Sequence, residues 1–141
     1  MVNHTRKRVC TKTAKLYSLI YLVLLTIGSL GFLTFTLLGI YETRVSTVEV
    51  FRSFAVVIAG ILAILGIAKE KLWAKWFTIA IYSVYIFLSI AGIVNSFSSE
   101  PAFNLVGANT LIALRFWRVI ILLVSSVGII LLLKKPTSEN N

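Results

Sequence analysis

Aspartate is missing from this chain, and its acidic content is five glutamates in 141 residues. Cysteine and histidine each occur once, as Cys10 and His4, both in the basic N-terminal stretch. One cysteine cannot close an intrachain disulfide or form a C-x-x-C thiol pair, which excludes a four-span thiol oxidoreductase working alone. Metal and haem centres need several His, Cys or carboxylate ligands. The long apolar runs contain none of these residues, so no cofactor is expected. Four-span proton-coupled exporters of this size rely on a carboxylate buried in the first span, and the first run here has none. Charge is scarce overall at 13%, against about 25% in soluble domains.

What the chain has in abundance is apolar side chain, 58% of its residues. A soluble domain this small would expose much of that surface and aggregate. A bilayer removes the difficulty, because the surrounding solvent is itself apolar. Four runs stand out: residues 16–40, 53–68, 76–97 and 112–133. A helix rises about 1.5 Å per residue and a hydrocarbon core is about 30 Å thick. The first run therefore spans with tilt. The second covers only about 24 Å and needs Phe51 and Phe54 at one interface, with local thinning of the bilayer. The stretch from Ala102 to Leu133 is too long for one span. Lys134 and Lys135 fix its far end, and counting back about 20 residues for a bilayer width places its start near Leu114, taken with its margin as 112. A cleaved signal peptide is a poor reading of the first run, which is too long and has no small-residue cleavage site after it.

Backbone groups in lipid must be hydrogen-bonded internally, so these runs read as helices. A transmembrane β-barrel would need alternating polarity, which is absent. Short connections make successive helices antiparallel neighbours. The expected fold is an all-α membrane protein: an antiparallel four-helix transmembrane bundle with short loops, spanning 16–133. A basic tail (1–15) precedes it and a polar tail (134–141) follows.

The net charge of +9 would suggest nucleic acid in a soluble protein. Here the cations flank apolar runs and read as topology signals and partners of anionic headgroups, so no nucleic acid is expected. Every lysine falls on one side of the four-span reading, in the N-terminal tail, the 69–75 turn and the C-terminus. That side is expected to be cytoplasmic, in a cell membrane, with both termini there. Tyr17, Tyr21, Trp73, Trp76 and Trp117 are expected as interfacial anchors, since their rings are part apolar and part hydrogen-bonding.

Helices in lipid associate through small residues rather than through hydrophobicity. The second run offers Ala55, Ala59 and Ala63 at four-residue spacing, with Gly60 and Gly66 nearby. Such a stripe serves either a self-contained bundle or contact with another membrane protein or a second copy. Arg115 and Arg118 are the charges deepest in an apolar run. Two roles are open to them: they snorkel to phosphate or pair with Glu42, Glu49 or Glu100, or they form an outward anion or headgroup site with Asn95 and Asn109. The expected function is non-catalytic, as an accessory, structural or lipid-interacting subunit and not an enzyme. The alternative is a small transporter or channel with that arginine site. The bilayer itself is the first expected partner.

Overall fold

A computed structural model describes residues 10–38, 47–98 and 108–134, with side chains described for 10–38, 47–97 and 112–134. Its elements are α1 (Lys12–Leu37), α2 (Thr47–Ala68), α3 (Leu72–Ser98) and α4 (Ala108–Leu133). All four are long and apolar enough to cross a membrane. Their outward surfaces are dominated by Leu, Ile, Val and Phe side chains. In water this would be untenable; in acyl chains it is the favourable surface. The molecule is an all-α, multi-pass, four-helix transmembrane bundle.

Local chemistry sets the ends. Thr11 caps α1 by accepting the Ala14 amide at 3.2 Å, which answers one of the free amides of the first turn. α2 starts six residues ahead of its apolar run, with Glu49 in its first turn, where a negative charge meets the positive helix end. Its 22 residues reach about 33 Å, so the bilayer does not need to thin around it. The turn into α3 is a Schellman motif: the Lys71 amide donates to the Gly66 carbonyl (2.9 Å) and the Glu70 amide to the Ile67 carbonyl (3.1 Å). Glu70 takes the left-handed position of that motif at φ 53°, where glycine is the usual residue. Its carboxylate pairs with Lys15 of α1 at 2.9 Å.

The helices pack most extensively as two hairpins, α1 with α2 and α3 with α4, closed into a ring by smaller α2–α3 and α1–α4 contacts. Small residues allow each close approach. Gly60 of α2 lies against Thr26 of α1, and Gly66 lies against Ala74 and Trp73 of α3. Gly128 of α4 receives the ring of Tyr82, with Tyr82 Cε2 2.6 Å from where a β-carbon would stand. The inward face of α2 is Ser53, Val57, Gly60, Ala63, Gly66 and Ile67. Of the alanines at four-residue spacing, Ala63 lies on this face and is buried, whereas Ala55 is exposed. Five residues separate Ala55 from Gly60, about 140° around a helix of 3.6 residues per turn. The glycines, which permit the closest backbone approach, decide which face turns inward.

Tyr82 is the largest fully buried side chain, with Leu22, Leu132, Thr78, Ser18 and Ser125 also fully buried. Its hydroxyl donates to Ser18 Oγ (3.4 Å), and its ring meets that of Tyr21 at 4.9 Å between centroids. Thr26 and Thr78 donate to the carbonyls of Leu22 and Ala74 four residues back. Among the described residues, every buried side-chain nitrogen or oxygen has a hydrogen-bond partner. That is what an apolar medium demands.

Candidate functional site

The first two turns of α4's apolar span carry Arg115 and Arg118, one helical turn apart and facing α3. Arg115 Nε donates to Ser96 Oγ at 3.1 Å, and its Nη2 donates to the Ser96 carbonyl at 2.7 Å. Its guanidinium also stacks over the Phe97 ring, 4.1 Å from the centroid. One turn deeper, Arg118 Nη1 donates to the carbonyl of Gly92. Ser96 and Gly92 are four residues apart on α3, so the two arginines address successive turns of one helix face.

The chemistry of this cluster follows from where α3 ends. Ser96 lies in the last turn before Ser98, where helix carbonyls lack amide partners and the macrodipole is negative. Arg115 supplies both the hydrogen bond and the positive charge. Gly92 has a different part: without a side chain it leaves room for the Arg118 guanidinium to reach the backbone. Ser96, Gly92 and Phe97 complete the cluster around the two arginines, and none of the three carries a signal in the sequence alone. Only the register of α3 against α4 reveals those partners. Asn95 sits on the same final stretch of α3 and is exposed. The Asn109 side chain, Glu42 and Glu100 lie outside the described residues, and Glu49 is exposed on α2.

No protein-family model, curated protein or solved structure matches the chain.

The aromatic residues divide into two groups. Trp73, Trp76 and Trp117 are each more than half exposed and present their rings to the surroundings of the bundle. Tyr17 and Tyr21, the other two aromatic residues expected as anchors, turn their hydroxyls inward. Tyr17 donates to the Val124 carbonyl (2.7 Å), and Tyr21 shares a hydrogen bond with Ser125 Oγ (3.1 Å). They fasten α1 to α4 in the half of the bundle where Tyr82 also lies. A buried phenol needs a partner, and Ser125 and a carbonyl are the nearest ones.

At the opposite end from the arginines, Cys10, Lys12, Lys15, Leu16, Leu19 and Glu70 line a cleft of about 330 Å³. Burial pushes the Cys10 thiol above its ordinary pKa; Lys75 and Lys15 oppose this and Glu70 reinforces it. A thiol held in its protonated form is a poor nucleophile. No group of three or more His, Cys, Asp or Glu residues suited to a metal occurs among the described residues.

Proposed function

We propose that this chain is a non-catalytic structural or accessory subunit of a cell membrane, with both termini in the cytoplasm. The observation that carries this reading is the filled interior. Tyr82, Leu22, Leu132, Thr78, Ser18 and Ser125 occupy the centre of the bundle without solvent exposure, and their polar atoms are satisfied within the protein. Ionisable groups inside spans usually mark a substrate or proton path when they face an internal cavity. Here the two arginines in the spans donate to the backbone of α3. The lysines support the orientation: Lys15, Lys69, Lys71, Lys75 and Lys134 mark one end of the bundle, and lysine and arginine accumulate on the cytoplasmic side.

A second reading, a small transporter or channel, rests on Arg115 and Arg118 lying together at the other end. Proteoliposome chloride and phosphate fluxes separate the two. A subunit without a transport path gives flux equal to empty vesicles. Flux above that level which disappears in Arg118→Ala overturns the first reading in favour of the second. Orientation is tested by cysteine accessibility in intact cells. Cys10, and Ser138→Cys in a Cys10→Ser background, are expected to label from the cytoplasm, and Ser99→Cys from outside. Labelling of positions 10 and 138 from opposite sides would overturn the four-span topology itself.

A further inference from the structure

We propose that the cleft between the start of α1 and the α2–α3 turn binds one anionic phospholipid, taking the phosphodiester at its cationic rim and an acyl chain along its apolar floor. The inference rests on the membrane placement and does not depend on the non-catalytic reading.

The lining is amphiphilic in a fixed order. Lys12 and Lys15 form the cationic end of the lining, which we take as its mouth, and Leu16 and Leu19 follow them along α1. Leu16 is 62% exposed, so the floor opens sideways to acyl chains and is not sealed against them. The cleft therefore matches a molecule that is charged at one end and apolar along its length. A small free anion would use only the mouth.

Charge decides which lipid. Lys12 and Lys15 border the cleft, and Lys75 lies close enough to act electrostatically on Cys10 in its wall. Against these three cations stands one carboxylate, Glu70, already bonded to Lys15 at 2.9 Å. The balance is positive, which a zwitterionic headgroup does not neutralise and an anionic phosphodiester does. Phosphatidylglycerol, with a single negative charge on its phosphodiester, meets that requirement. A basic residue at the membrane surface strengthens binding of an anionic lipid about fivefold.

The test uses the full chain in detergent micelles, with native mass spectrometry counting retained phosphatidylglycerol against phosphatidylcholine of identical chains. The wild-type chain is expected to retain phosphatidylglycerol preferentially. Lys12→Gln with Lys15→Gln is expected to lower that preference about fivefold per lysine. Lys12→Gln alone, which leaves the Lys15–Glu70 pair intact, is expected to lower it about fivefold and covers the case of a misfolded double variant. Lys134→Gln, a cation at the end of α4, is expected to change nothing. Equal retention of both lipids overturns the proposal, as does an equal loss in Lys134→Gln, which would signify diffuse charge. Displacement of the lipid by soluble glycerol 3-phosphate would also overturn it, by reducing the cleft to a free-anion site. None of these failures alters the expected flux or topology.

Discussion

Arg118 and Gly92 meet across the α3–α4 seam, with the guanidinium in the space where a side chain at position 92 would begin. A β-carbon there would stand 2.5 Å from Arg118 Cζ. The absence of a side chain and the presence of a long cationic one are thus complementary. The carbonyl of Gly92 receives the charged donor that this arrangement admits.

Gly92→Ala is therefore expected to displace Arg118 and weaken the bundle by about 1–2 kcal/mol, the range for interhelical hydrogen bonds in model membrane peptides and the lower part of that for a bond to a charged group. Arg118→Met removes the same bond from the other side. The double variant should lose little more than either single change, because both remove one interaction. Unfolding in mixed micelles by SDS titration measures all three. Additive losses would mean that the two residues do not act together.

A second expectation concerns glycines that look alike in sequence. Gly60 faces the Thr26 side chain, whereas a β-carbon at Gly28 or Gly31 would meet no heavy atom within 4 Å. Gly60→Ala should cost about 1–3 kcal/mol through overpacking, and Thr26→Ala in the same background should restore part of it. Gly28→Ala and Gly31→Ala should change stability by no more than about 0.5 kcal/mol. The same SDS titration reads the difference. A large cost at Gly28 with none at Gly60 would contradict the α1–α2 seam, and would mean that the open face of α1 is covered by another chain.

These contrasts show what could be read from sequence and what could not. The helices were legible because bilayer thickness imposes a length, and uncharged runs of that length are hard to hide. The arginine cluster was half legible: Arg115 and Arg118 stand out as charges in an apolar run. Their partners Ser96 and Gly92 do not, since a small residue says nothing about which helix will face it. The rotation of α2 was not legible, because Ala55, Ala59 and Ala63 repeat as regularly as the inward face does. Periodicity names a face but not its direction when lipid and protein are both apolar. The cleft beside Cys10 was invisible for another reason. It exists only because Glu70, 55 residues away from Lys15 in sequence, returns to the start of α1.

The environment of Cys10 yields the last prediction. Its thiol is partly buried, and burial disfavours the charged thiolate, which raises the pKa. Maleimide reacts with the thiolate, so at any pH below that raised value a smaller fraction of Cys10 is reactive than of an exposed thiol. In detergent, labelling of Cys10 should therefore be slow at neutral pH and accelerate at higher pH than labelling of Thr13→Cys in a Cys10→Ser background, since Thr13 is exposed. The neighbours give the sign of two further shifts. Lys75 favours the thiolate, so Lys75→Gln should move the midpoint up. Glu70 opposes it, so Glu70→Gln should move the midpoint down, by less than the Lys75 change because its influence is the weaker of the two. Rate profiles from pH 6 to 10 that coincide for Cys10 and Thr13→Cys would place the Cys10 thiol in open solvent, outside the wall of the cleft.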